Sequence, residues 1–166
     1  MYHYSQQTLY AFGILLFFAG YFLWYLFGFI YRVFHPTLLR KNRTLKKLKR
    51  LSWDDFERLC VELFEREGWH AKGNEKKGAD GGVDIWIERR GVIGTTQKAI
   101  VQCKKYEDSF VGIKVVREMY GLMYEYEVDC VYIVTTSRFS KECYKFIENK
   151  EIFLINGEEL VALICK

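Results

Sequence analysis

Gly78-Ala79-Asp80-Gly81-Gly82-Val83-Asp84-Ile85 leads out of a glycine-rich loop into an apolar alternating run, Val83 to Glu88. Ala99-Ile100-Val101-Gln102-Cys103-Lys104 follows as a second β-type run, and a turn-like segment with Gly91 and Gly94 lies between them. A β-hairpin is the simplest connection. Side chains alternate across a strand, so Gln102 and Lys104 fall on one face while Val101 and Cys103 fall on the other. Asp84 is out of phase with Val83, Ile85 and Ile87. Pairing the two strands therefore predicts a polar face that gathers a carboxylate, an amide carbonyl and an ammonium.

Outward from this hairpin the pattern alternates between helix and strand. Ser52, Asp54 and Asp55 begin a helix whose acids suit its N-terminal dipole; Phe56, Leu59, Cys60, Leu63 and Phe64 recur at helical spacing, and Gly68 ends it. Residues 69–82 read as a loop with a short strand near Trp69 to Lys72. A helix is expected from Ile113 to Tyr126, a buried strand from Cys130 to Thr135, and a helix capped by Ser140 running to about Asn149. Ile152 to Ile155 reads as a last strand, and Glu158 to Cys165 as a last helix entered through Asn156-Gly157. The expected fold class is α/β: a mixed central sheet covered by helices on both faces.

The N-terminal part is of another kind. No charged residue occurs from Met1 to Tyr31, and Leu9 to Ile30 is almost wholly apolar and aromatic. About 22 residues at 1.5 Å rise give roughly 33 Å, enough for a bilayer core of about 30 Å. Tyr21, Trp24, Tyr25 and Tyr31 add side chains that favour interfaces. Arg40, Lys41, Arg43, Lys46, Lys47, Lys49 and Arg50 follow the apolar run, and nothing basic precedes it. The expectation is one transmembrane helix in residues 1–35, lipid as a partner, a basic juxtamembrane linker in 36–50, and a cytoplasmic domain in 51–166. Residues 51–166 carry 17 Lys+Arg against 21 Asp+Glu, a balance of −4, so the domain cannot rest its affinity for a polyanion on bulk charge. Five cysteines without a C-x-x-C pair read as small buried hydrophobes, and three scattered histidines exclude a zinc site argued from spacing.

Residues 51–164 resemble the catalytic domain of the Mrr-like (type IV) restriction endonucleases, a branch of the PD-(D/E)xK nuclease superfamily that also includes archaeal Holliday junction resolvases. The stretches that carry the likeness are Phe56-Glu57-Arg58-Leu59 with Gly68, Gly78 through Ile85, Val101 through Tyr106, Thr135 through Ser140, and Leu154-Ile155-Asn156-Gly157-Glu158. The resemblance implies a restriction-endonuclease-like fold. It also implies Asp84 as the first acidic metal ligand, Gln102 as the second where most relatives have Asp or Glu, Lys104 as the catalytic lysine, and Glu57 as an acidic residue from the first helix.

The chemistry agrees with these roles. Phosphodiester hydrolysis requires neutralising charge on a phosphorane-like transition state and generating a nucleophilic water. Mg2+ (or Mn2+) takes oxygen ligands and keeps several waters, so one or two carboxylates and substrate phosphate suffice. Asp84 would anchor the ion, Gln102 would offer a carbonyl oxygen and Cys103 its backbone carbonyl, with help from Glu57. Lys104 would orient or activate the water, or stabilise developing charge. Gly81 and Gly82 let backbone approach a phosphate, with Lys76 and Lys77 beside them. Lys105 and Tyr106 are further candidates for DNA contact; a packed surface tyrosine is the other reading of Tyr106. Asp80 is an outer-shell candidate or a loop cap, and Glu62 and Glu65 read as solvated helix charges. The expectation is a membrane-anchored DNA endonuclease, with a homodimer and a role in DNA restriction or defence as further expectations. A catalytically inactive DNA-binding or scaffolding module is the alternative.

Overall fold

The computed structural model describes residues 14–27, 37–74, 82–91 and 94–166, and the chain divides into two compact units, Met1–Pro36 and Thr37–Lys166. In the first unit α1 covers residues 14–27. Among the described residues no helix is long and apolar enough to cross a membrane. At 1.5 Å per residue the described residues 14–27 account for about 21 Å of helix, against a bilayer core of about 30 Å. Residues 9–13 and 28–30 of the expected span lie outside the described residues. This overturns the single-pass membrane placement with its cytoplasmic orientation.

The stretch expected as a linker folds, from Thr37 on, as part of the second unit. It forms α2 (Leu38–Lys41) and α3 (Leu45–Lys49), which bury Leu39 and Leu48. Glu62 pins α2 by accepting a hydrogen bond from the Leu39 N–H at 3.3 Å, so it is not merely a solvated charge.

The remainder runs α4 (Trp53–Arg66), β1 (His70–Gly73), β2 (Ile85–Arg90), β3 (Thr96–Lys104), α5 (Ile113–Glu125), β4 (Cys130–Thr135), α6 (Lys141–Ile147), β5 (Ile152–Ile155) and α7 (Gly157–Cys165). The sheet order is β1-β2-β3-β4-β5. β1, β2 and β3 are antiparallel neighbours, and β3, β4 and β5 are parallel. The hairpin expected between β2 and β3 is present, with Trp86 opposite Ile100 and Ile85 opposite Val101. Gly91 N–H closes it on the Thr95 carbonyl at 2.7 Å, and Gly94 takes the left-handed φ of 75° that the turn requires. Parallel neighbours cannot be joined by a tight turn, so α5 and α6 make the two crossovers.

Alternation along β3 decides which helix each residue meets. Ala99, Val101 and Cys103 enter the layer beneath α4 and α7, with Phe56, Leu59, Cys60, Leu63, Leu160 and Ile164. Ile100 enters the opposite layer beneath α5 and α6, with Val116, Met119, Leu122 and Cys143. α4 starts on a Ser52 cap, whose Oγ accepts from Asp55 N–H at 3.0 Å. α7 starts on a capping box: Asn156 Oδ1 accepts from the Glu158 and Glu159 N–H groups while Glu159 Oε2 accepts from Asn156 N–H. Arg66, at the end of α4, donates to the last carbonyls of α7, Leu163 at 2.6 Å and Ile164 at 3.2 Å. The two helices on this face are therefore tied end to end.

Candidate active site

Asp84 stands one residue before β2 and is fixed by its backbone on both sides. Its N–H donates to the Val101 carbonyl at 3.0 Å and its carbonyl accepts from Asn74 N–H at 2.8 Å. Asn74 Nδ2 also donates to the Val83 carbonyl at 3.0 Å, which holds the chain on both sides of residues 75–81. The β2–β3 ladder ends at Ile85 opposite Val101. Two residues further along β3, Cys103 turns its N–H to the Asp84 carboxylate, donating to Oδ2 at 2.6 Å. Gln102 Nε2 donates to the same oxygen at 2.5 Å. Short donor distances are expected when the acceptor is charged.

Burial pushes the Asp84 carboxyl above its ordinary value, against the Cys103 N–H, the nearby Lys104 charge and the Gln102 amide, which all favour the anion. Lys104, half-buried at the end of β3, thus lies within electrostatic reach of Asp84. Its backbone carbonyl accepts from Thr135 Oγ1 at 2.6 Å and from Thr136 N–H at 3.4 Å. Thr136 Oγ1 in turn donates to the Tyr106 carbonyl at 2.7 Å and accepts from Tyr106 N–H at 3.0 Å. The two threonines, both fully buried, fix the chain on either side of Lys105.

Gln102 is only 4% exposed and lies on the α5 face. With Nε2 on Asp84, its Oε1 looks toward Gly82, whose φ is +95° and at which a Cβ would stand 2.7 Å from that oxygen. Glycine is needed there both for the backbone conformation and for the space. For the Gln102 carbonyl to join Asp84 on a cation, the amide must turn over about its terminal torsion and exchange Nε2 for Oε1. The rest of the donor set suits a hard divalent ion, since Asp84 supplies an anionic oxygen at the open end of the β2–β3 ladder.

Cys103 contributes its N–H to this cluster, while its thiol points into the α4 layer. There the Cys60 thiol and burial push the Cys103 thiol well above its ordinary value, aided by the charges of Cys60, Asp84 and Glu57. Glu57, half-buried on α4, is therefore within electrostatic reach of Cys103, as Asp84 is. The structure brings together Asp84, Gln102, Cys103 and Lys104, with Glu57 on α4 within electrostatic reach of Cys103. Among the described residues no three His, Cys, Asp or Glu side chains form a metal-binding group.

Lys76, Lys77, Asp80 and Gly81 lie outside the described residues. Lys105 sits over the Trp53 ring at 5.9 Å, and Tyr106 is half-buried against the α5 layer, the packed alternative. Two features escaped the sequence reading. Thr135 and Thr136 position the Lys104 backbone, although only their place in a matching stretch marked them. Glu118 on α5 places Oε1 3.4 Å from the point where a Gly82 Cβ would lie. A single exposed glutamate on a helix carries no signal in sequence.

Residues 48–164, which include this cluster and the five-stranded sheet, match the Mrr_cat restriction endonuclease family. The chain belongs to that family. As an Mrr_cat member it is a restriction endonuclease-like nuclease domain. No curated protein matches it. Among solved structures, the DNA modification-dependent restriction endonuclease AspBHI aligns with a TM-score of 0.58 at 18% identity, covering 76% of this chain and 34% of its own. A protein of unknown function, AF1548, aligns with a TM-score of 0.50 at 21% identity over 62% of this chain and 61% of its own. The MspJI restriction endonuclease, in complex with a 27-mer oligonucleotide, has a TM-score of 0.48 at 23% identity, covering 72% of this chain and 30% of its own. These likenesses concern the fold. The Mrr_cat chain spans about a third of the length of the two restriction endonucleases it resembles.

Proposed function

We propose that this chain is a divalent-cation-dependent DNA endonuclease that hydrolyses phosphodiester bonds through Asp84, Gln102 and Lys104. The observation that carries the reading is the convergence of Gln102 Nε2 and Cys103 N–H on one Asp84 oxygen, with the Lys104 charge beside it. Mg2+ or Mn2+ held by Asp84 and, after its amide turns, by Gln102 would neutralise phosphate charge and lower the pKa of a bound water. Cys103 N–H holds the carboxylate in place, and the strand fixes the spacing from Asp84 to Lys104. The Lys104 ammonium donates hydrogen bonds to a phosphate oxygen or to the attacking water, where negative charge develops. Glu57, on α4, would help hold the ion directly or through water. Cutting both strands at one place uses two such sites, so the working species is a homodimer, and defence against foreign DNA is the setting that suits it.

The deciding experiment incubates the full chain with supercoiled plasmid and Mg2+ or Mn2+. Nicking is expected, with loss in Asp84→Ala and in Lys104→Ala. One observation favours a second reading, a DNA-binding module without catalysis: the Gln102 amide presents its NH2 group, not its carbonyl, to Asp84. Plasmid retardation without any cleavage, unchanged by either substitution, would establish that reading instead.

A further inference from the structure

We propose that the groove beside Trp86 and Tyr126 seats an unpaired nucleobase. The substrate class is then DNA with a single-stranded segment next to the scissile phosphate, which rests on the endonuclease reading above and deepens it. Alternation along the strands places the groove. Trp86 and Glu88 share the α5 face of β2 with Asp84, as Lys98 shares that of β3 with Gln102. α5 packs over β3 and β4, whereas on the β1–β2 half of this face His70, Lys72 and Glu88 are exposed. At the boundary lies a cavity of about 400 Å³, lined by these three residues together with Trp86, Lys98 and Tyr126. That volume is within the roughly 300–1,000 Å³ typical of small-ligand sites.

Trp86 and Tyr126 meet edge to face with ring centroids 4.9 Å apart, and both are half-buried, so each keeps part of its ring open to stacking. Cations surround the pair. His70 and Lys98 stand opposite Glu88 on its two sides, and Lys72 stands opposite Trp86. Two lysines thus outweigh the Glu88 carboxylate at the rim, and Asp129 close by accepts from the Lys98 N–H at 2.7 Å. Rings that merely closed the α5 layer would need no cations beside them, whereas a base and its phosphate need both. A base inside a duplex has both faces covered, so a concave ring pair receives only a base that has left the stack. Position agrees with this. Trp86 and Glu88 lie roughly 7 and 13 Å along β2 from Asp84, about two to four nucleotides at roughly 3.4 Å each. A strand held at Asp84 therefore reaches the groove with the nucleotides next to the cut.

The test titrates the full chain, in EDTA so that nothing is cut, into a labelled mixed-sequence single strand and into the same sequence as a duplex. Wild type is expected to bind the single strand more tightly. In Trp86→Leu, which keeps an apolar filling, the ratio of single-strand to duplex affinity should fall roughly tenfold. Lys72→Gln with Lys98→Gln, which alters exposed side chains only, should weaken single-strand binding and flatten its salt dependence. With Mn2+ added, wild type should cut a gapped duplex faster than an intact one, and Trp86→Leu should lose that preference. An unchanged affinity ratio in Trp86→Leu overturns the groove and leaves the endonuclease reading intact. Should Trp86→Leu fail to fold, the lysine pair decides, and unaltered single-strand binding there overturns the groove. Trp86-dependent single-strand binding without any cleavage by wild type upholds the groove and overturns the endonuclease reading. A wild-type dimer that Trp86→Leu splits, with single-strand affinity unchanged, gives the groove to a second copy of the chain and overturns the proposal.

Discussion

Asp84 holds its charge in a place where burial disfavours it, and the hydrogen bonds from Gln102 and Cys103 offset that cost only in part. The consequence for stability has a definite sign. A carboxyl whose folded-state pKa is raised favours the protonated form on folding, so its contribution is fully present below the unfolded pKa and is lost as pH rises through the folded pKa. At neutral pH ionised Asp84 is therefore a net cost, and Asp84→Asn should melt at a higher temperature than wild type while losing cleavage. The difference should shrink as pH falls through the carboxylate range. Thermal melts of both proteins at several pH values check it, and a lower Asn melting temperature at neutral pH would refute it. Because protons compete with the cation for Asp84, the acid limb of cleavage should also lie above the range of an ordinary aspartate. On the endonuclease reading proposed above, the buried charge trades stability for chemistry, a common compromise at active sites. The thiols of Cys60, Cys103, Cys130 and Cys143 are buried, with Cys130 pushed up to about 11 chiefly by burial, and only the Cys165 thiol is exposed.

Elements, more than single residues, were what the sequence disclosed. β4 and β5 occupy the expected residues because their apolar runs are short, continuous and bounded by turn-forming residues. The alternation that set Gln102 against Cys103 holds, since the period of a strand leaves no freedom once one face is buried. What alternation cannot supply is the direction of an amide, so the Gln102 orientation was not legible. Helix boundaries were softer: α6 stops at Ile147, and Ser140 starts it without a side-chain cap bond. The TTS stretch after β4 acts at this scale, as a clamp between two chain segments. Thr136→Val removes both Oγ1 bonds to Tyr106 and leaves partly buried backbone groups unpaired, a cost of about 1–2 kcal/mol. Since Thr136 also donates through its N–H to Lys104, kcat should fall by more than the melting temperature alone suggests, and Thr136→Ser should restore both. Urea titration beside cleavage kinetics separates the two effects; equal kcat in Val and wild type would exclude a positioning role.

At the scale of the whole molecule, moving one boundary reverses an electrostatic conclusion. Residues 51–166 alone balance at −4, but the compact unit begins at Thr37 and includes α2 and α3. Residues 37–166 hold 24 Lys+Arg, all of the chain's 25 except Arg32, against all 21 Asp+Glu, a balance of +3. The basic stretch is thus not a tether beside the fold but part of it, anchored by Leu48, which is fully buried, and by Leu45, which lies against Gly157. Lys49 reaches Asp108 at 3.3 Å, whereas Lys46 and Lys47 are exposed at the surface. Such cations serve a polyanion best when rigidly displayed, because phosphate neutralisation then costs little side-chain and loop ordering. Lys46→Gln with Lys47→Gln should weaken binding of duplex DNA uniformly across sequences, measured on the Asp84→Asn background so that no cleavage intervenes. The slope of log affinity against log salt should lose up to about 0.9 for each phosphate contact removed. An unchanged slope would place the DNA on another surface, leaving α2 and α3 to act through packing alone.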